Sequence, residues 1–221
     1  TQAYEGYEFH KVYQAVHNYC AVDLSSFYLD ILKDRLYASK ADSKLRRSAQ
    51  TALYVVISAL VRTMAPILVH TAEEVWQAMP AESEESQNSS VHLSAFPEVN
   101  EGWMDAGLAA RWARINEVRD KVLAALEEAR QSGKIGKPLE SRVTISAPAE
   151  LYAFLKPYEA VLPSVMIVSQ LELKESDGPE LTVDVQPPLG EKCARCWLVL
   201  ESVGGHSDAP ELCTRCHEAL A

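Results

Sequence analysis

The chain has 221 residues, of which 48% are apolar, 24% charged and 8% aromatic. That make-up excludes disordered, collagen-like and disulfide-scaffold classes and can fill one large or two small cores. Its 21 basic and 31 acidic side chains give a formal net charge of −10, and even the last segment, residues 191–221, carries 3 basic against 5 acidic groups. Such a field repels nucleic acid and anionic membranes at long range, so net charge alone speaks against both as partners.

The longest apolar stretch, Thr51 to Val69, is interrupted by Ser58, Arg62 and Pro66 and is too short to span a bilayer. The first residues, Thr1-Gln2-Ala3-Tyr4-Glu5, have neither a basic nor an apolar signal region and no initiator Met. The expectation is a non-membrane, cytoplasmic piece of a longer protein.

Helical spacing dominates residues 8–80. Val12, Val16 and Tyr19 recur at i, i+4 and i+7, and Asp23 is placed to cap a following helix holding Phe27, Leu29, Ile31, Leu32 and Leu36. After the polar break Ala38 to Asp42, the residues Leu45, Ala49, Leu53, Val56, Leu60 and Met64 form one stripe that Pro66 ends or bends. Thr71-Ala-Glu-Glu74 has capping-box spacing and predicts a short helix carrying Val75, Trp76 and Met79. Ala81 to Ser90 reads as a solvated loop. A further helix is predicted from Leu108 to Gln131, with Trp112, Ile115, Val118, Val122 and Leu126 on one side and Ser132-Gly133 as its stop.

Beyond it, Val143-Thr144-Ile145, Val165-Met166-Ile167-Val168 and Leu181 to Val185 are short β-branched runs and predict strands, with a helix from Pro148 between the first two. Gln186 to Gly190 reads as a linker. The predicted fold is mainly α: an antiparallel helix bundle at 1–97, a helix plus a small α/β unit at 98–188, and a compact module at 189–221.

That module carries the chemistry. Cys193-Ala-Arg-Cys196 and Cys213-Thr-Arg-Cys216 are separated by 16 residues, and two such knuckles can converge into a tetrahedral four-thiolate site. Zinc suits soft thiolates in that geometry, although spacing alone leaves an iron site open. A closed four-ligand site is structural, and about 31 residues with few apolar side chains need the metal to fold. His206 and His217 are read as exposed polar residues, alternative ligands that four cysteines make unnecessary. Arg195 and Trp197 flank Cys196, which places a guanidinium and an indole on a rigid turn. They are fit to stack on unpaired bases, or else Trp197 packs under the knuckle and Arg195 is a surface charge.

Elsewhere the chemistry is thin. Gly133 to Pro138 lacks the spacing of a phosphate loop. Lys134 and Lys137 either meet a phosphate backbone or solvate a turn, and the small basic clusters Lys33/Arg35 and Lys44/Arg46/Arg47 lie at helix ends. Cys20 reads as a core thiol. His10, His17, His70 and His92 have no partner at catalytic spacing, so no catalytic residue is assigned.

Tyr13-Gln-Ala-Val-His-Asn-Tyr-Cys20, Asp23-Leu-Ser-Ser-Phe-Tyr-Leu-Asp30, Lys33-Asp-Arg-Leu-Tyr37, Arg47-Ser-Ala-Gln-Thr51 and Ala65-Pro-Ile-Leu-Val-His-Thr-Ala-Glu-Glu-Val-Trp76 resemble the helical anticodon-binding domain of class I aminoacyl-tRNA synthetases of the isoleucyl, valyl and leucyl group. Lys134-Ile-Gly-Lys-Pro-Leu-Glu140 and the cysteine tail resemble the bacterial isoleucyl family in particular. The resemblance implies a C-terminal piece of a ligase that attaches isoleucine to its tRNA, without the ATP-using catalytic domain or the editing domain. It implies one structural zinc on Cys193, Cys196, Cys213 and Cys216, anticodon readers at Arg195 and Trp197, and backbone contacts from Arg35 and Arg46. The implied partners are isoleucine tRNA and the remainder of the same chain, in a monomer. Two alternatives remain at this point. One is a zinc module for protein interaction without RNA. The other is the DNA-gripping hairpin of formamidopyrimidine-type glycosylases, disfavoured because the chain lacks that family's N-terminal proline and helical DNA-binding element.

Overall fold

A computed structural model describes residues 1–80 and 89–221 of the chain. They form two compact units, residues 1–32 with 42–104, and residues 33–41 with 105–221. The solvated loop expected at Ala81 to Ser90 lies outside the described residues, apart from Ser89 and Ser90.

The first unit is helical. Helices α1 (Gln2–Glu5) and α2 (Phe9–Asn18) lead into a π-helical stretch, Tyr19–Tyr28, which runs on into α3 (Leu29–Ala38), whose residues from Lys33 onward are counted with the second unit. Asp23 therefore caps nothing: it sits inside continuous helix, where the neighbouring N–H groups already have backbone acceptors. Cys20, expected in the core, is half-buried in the same stretch. Ser43 caps α4 (Lys44–Met64) by accepting from the Arg46 N–H at 3.3 Å, and the helix ends just before Pro66 as its sequence requires. Of the α4 stripe, Ala49 is buried and Leu45 is exposed.

Helix α5 (Val69–Ala78) starts two residues before the expected capping box, with Leu68 as its N-cap, so Thr71 lies in its first turn and cannot cap it. Glu73 closes a different feature: its Oε2 accepts from Ser90 Oγ at 2.7 Å and from the Val91 N–H at 3.0 Å. Trp76 Nε1 donates to the Ser89 carbonyl at 3.0 Å. These bonds pull Val91, 1% exposed, onto a cluster with Val61, Ala65 and Ala72, against which Val75, Trp76 and Met79 pack.

The second unit is built on α6 (Ala106–Gln131) and a three-stranded sheet. Asp105 caps α6 through the Leu108 N–H at 2.8 Å, and Ile115, Val118, Val122, Leu126 and Ala129 are buried at helical spacing. Ser132 and Gly133, the latter at φ +73°, stop it as the sequence predicts. In the sheet, β1 (Arg142–Pro148) is central, parallel to β2 (Gln170–Ser176) and antiparallel to β3 (Thr182–Gln186). Val143, Ile145 and Ala147 alternate as fully buried residues of β1. Parallel pairing needs a crossover, which α7 (Ala149–Leu155) and α8 (Leu162–Met166) provide.

That crossover corrects one expected strand. Val165 and Met166 end α8, and Ile167 turns left-handed at φ 58°. A short apolar run is equally compatible with a buried helix, and here burial on all sides, not strand pairing, explains its composition. The pairing strand is the more polar Gln170–Ser176, which suits its place at a sheet edge.

The last segment forms a two-stranded ribbon, β4 (Glu191–Lys192) with β5 (Val199–Leu200), and a short helix α9 (Thr214–Glu218). Ser169, 7% exposed, holds the ribbon to the sheet by accepting from the Val199 N–H at 2.7 Å. Gln170 exchanges side-chain hydrogen bonds with the Leu189 backbone at 2.7 and 3.1 Å. Gly190, at φ +94°, is required there, since a Cβ would collide with the backbone of Leu200 and Glu201.

Candidate metal centre

The two Cys-x-x-Cys turns meet. Cys193 and Cys196 are carried by the turn between β4 and β5, and Cys213 and Cys216 by the entry and body of α9. Their four sulfur atoms all lie within 4.8 Å of one another, and Cys193, Cys213 and Cys216 are fully buried. Cys196 Sγ lies 3.8 Å from Cys213 Sγ. Thiolates at about 2.3 Å from a tetrahedral zinc stand about 3.8 Å apart, so the donor set fits that ion in type, number and spacing. Leu212 completes the small core beneath, with Leu200, Val203 and Ala209 packed on it.

Backbone geometry prepares the thiolates. Burial opposes ionisation of Cys193, but the N–H groups of Cys196, Cys213 and Arg195 outweigh it and hold this thiol down to about 6. Burial pushes the Cys196 and Cys213 thiols up. Four thiolates around one divalent cation leave net negative charge, and Arg195 answers it with Nη1 at 3.7 Å from Cys216 Sγ.

The same guanidinium reaches residues far away in sequence. Arg195 Nη1 donates to the Ala38 carbonyl, and Nη2 to the Tyr37 carbonyl at 3.3 Å. Arg215, in the matching position of the second turn, forms a two-pronged pair with Asp34 at 2.6 and 2.7 Å. The two knuckle arginines thus clamp the 33–41 segment. Sequence reasoning singled out Arg195 and missed Arg215. The signal was the repeat itself, Cys-x-Arg-Cys in both turns, but its partners, an aspartate and two carbonyl groups, are invisible until the chain is folded.

Trp197 stands apart from this clamp. It is 63% exposed, and its backbone is left-handed at φ 66°, a conformation that costs a side-chain-bearing residue roughly 1–2 kcal/mol. The core reading of this indole does not match that exposure. Arg35 is half-buried on α3, and Arg46 is half-buried in the first turn of α4. Lys134 lies 3.9 Å from Asp184, and Lys192 pairs with Glu140 at 3.3 Å. His206 and His217 are not ligands of the cysteine cluster but form a group of their own with Asp208.

Comparison with known proteins is consistent with this geometry. Residues 1–145 match the family described as the anticodon-binding domain of tRNA ligase, and residues 190–218 match a zinc finger found in FPG and IleRS. Similar curated proteins are the isoleucine–tRNA ligases of Moorella thermoacetica, 46% identical, Syntrophotalea carbinolica, 48% identical, and Geobacter sulfurreducens, 45% identical. The alignments cover 98%, 99% and 99% of this chain and 24% of each relative, so the chain spans about a quarter of the length of the curated relatives it matches. Among the described residues, no helix is long and apolar enough to cross a membrane.

Proposed function

The chain belongs to the family of tRNA-ligase anticodon-binding domains, and on that premise we propose that it holds the anticodon stem and loop of isoleucine tRNA as part of an isoleucine–tRNA ligase. In this reading the ATP-dependent attachment of isoleucine is the work of other parts of that ligase. We read the division of labour as a helical bundle over 1–97, a junction over 98–188 and the zinc module over 189–221, in a cytoplasmic, monomeric enzyme.

The observation that carries the proposal is Trp197. A structural zinc on Cys193, Cys196, Cys213 and Cys216 makes the turn rigid, and the residue after the second ligand projects a solvent-exposed indole from a strained backbone. Strain kept at an exposed aromatic residue is a mark of a binding position, because packing gains nothing from it. An indole face suits an unpaired base. Arg35 and Arg46 supply the phosphate contacts in this reading. Arg195, its guanidinium committed to two carbonyl groups and a sulfur, serves the anticodon site by holding the knuckle that bears Trp197.

The net charge of −10 favours a second reading, a zinc module that binds protein and no RNA. A titration separates them: the chain is mixed with isoleucine tRNA and with the same tRNA carrying a substituted anticodon, at two salt concentrations. Preferential binding of the first, weakening as salt rises, is expected. Equal binding of both removes anticodon recognition, and no binding at low salt favours the protein-partner reading.

A further inference from the structure

His206, Asp208 and His217 stand outside the cysteine centre and have no role in the function proposed above. His217 lies on α9, directly after the ligand Cys216, while His206 and Asp208 come from the loop that precedes that helix. One donor atom from each of the three lies within 4.8 Å of the others. His217 Nε2 is 2.9 Å from Asp208 Oδ2. The two are hydrogen-bonded, and the bond holds them near the roughly 2.9–3.5 Å separation of two donors on one transition-metal ion at about 2.0–2.2 Å, where the ion takes the place of the shared proton. The His206 and His217 rings are stacked, with centroids 4.0 Å apart and planes 6° from parallel.

We infer that these three residues form a second metal site, one that takes a single divalent transition-metal ion such as zinc on two imidazoles and one carboxylate. The donor set suits borderline ions, and three protein ligands leave room for water at the open position. Parallel rings do not aim their nitrogens at one point, so His206 must turn about its outer side-chain bond, a torsion with a broad energy profile. Its Nε2 meets Thr214 Oγ1 at 3.2 Å in the stacked orientation, an exposed contact that the turn exchanges for the ion.

The scaffold for this turn is firm. The Leu212 N–H bonds the Ala209 carbonyl at 3.1 Å, the His217 N–H bonds the Cys213 carbonyl at 2.9 Å, and Leu212 is buried against the cysteine cluster. The second site is therefore built on the first. Filling it replaces the single negative charge of Asp208 by a net positive one on the surface of an acidic chain.

The test is metal stoichiometry. The protein, with its cysteine centre loaded with zinc, is dialysed against excess zinc chloride and its bound metal measured. Two zinc ions per chain are expected for the unaltered protein, and one for His206→Ala and for Asp208→Asn, each with unchanged circular dichroism. Affinity for the second ion should fall at least about tenfold in either variant. Saturation of the unaltered protein at one ion would overturn the site, and so would a second ion held equally tightly by both variants. Nitrogen-detected histidine spectra of the unaltered protein give a check that needs no variant. Both His206 and His217 should shift as the second equivalent is added, and a second equivalent that moves neither ring places the ion elsewhere.

Discussion

The Arg215 guanidinium and the Asp34 carboxylate, 181 residues apart in sequence, meet fork to fork, with Nη1 2.6 Å from Oδ2 and Nη2 2.7 Å from Oδ1. Such a pair is directional as well as charged, because two parallel N–H donors match the two carboxylate oxygens only in one orientation. Beside it, Arg195 closes on the carbonyl groups of Tyr37 and Ala38. The metal turns are therefore tied to the 33–41 segment at two points.

Removing one point should be measurable but modest. The side chains of Arg215 and Asp34 keep 44% and 29% of their exposure, so solvent screens the pair, and Arg215→Ala should cost about 0.5–1 kcal/mol. Arg215→Lys keeps the charge and loses the fork, so it should recover less than half of that. A double-mutant cycle with Asp34→Asn, read by thermal unfolding, isolates the coupling, and a coupling energy of zero would reduce the pair to a surface contact.

Trp197 separates binding from stability. Trp197→Gly relieves a left-handed backbone at φ 66° and should leave the protein as stable or up to about 1 kcal/mol more stable. The same substitution should weaken tRNA binding by about 1–3 kcal/mol, the worth of one stacked base. Unfolding curves and tRNA titrations on one preparation measure both. A variant that loses stability and keeps its affinity would return the indole to a packing role.

Gly190 is the hinge of the ribbon. At φ +94° and with the Leu200 and Glu201 backbone in the way of any Cβ, Gly190→Ala should destabilise the final module by about 2 kcal/mol or more. Zinc retention during a chelator titration reports it, and the altered protein should release its metal at lower chelator concentration.

Acid should loosen the first unit through Glu73. Hydrogen bonds from Ser90 and then Gln77, with the Val91 N–H and the nearby His92 adding to them, lower its carboxyl from the ordinary value of 4.5. A carboxylate depressed on folding contributes stability that is fully present above 4.5 and is lost as the pH falls through the lowered value. Unfolding followed by tryptophan fluorescence should show that loss, and Glu73→Gln should abolish this part of the pH dependence while keeping one acceptor.

Much of the fold was legible from the sequence. The apolar stripe of α6, its stop at Ser132-Gly133, the end of α4 before Pro66 and the alternation around Ile145 each follow from a local period or a backbone restriction. The errors have a common cause. Asp23, Thr71 and the run Val165 to Val168 carry local signals for a cap, a cap and a strand. Continuous helix, an earlier helix start and burial in a crossover overrode them, and those depend on what the rest of the chain packs against. The four cysteines were readable because a metal knuckle is written at fixed short spacing, and zinc chemistry restricts it to few residue types. The partners of Arg195 and Arg215, the meeting of His206 and Asp208 with His217, and the exposure of Trp197 were not. Short-range sequence determines which thiolates can reach one ion. Only the tertiary structure decides which distant carbonyl or carboxylate a guanidinium meets, because that contact depends on how separate elements pack.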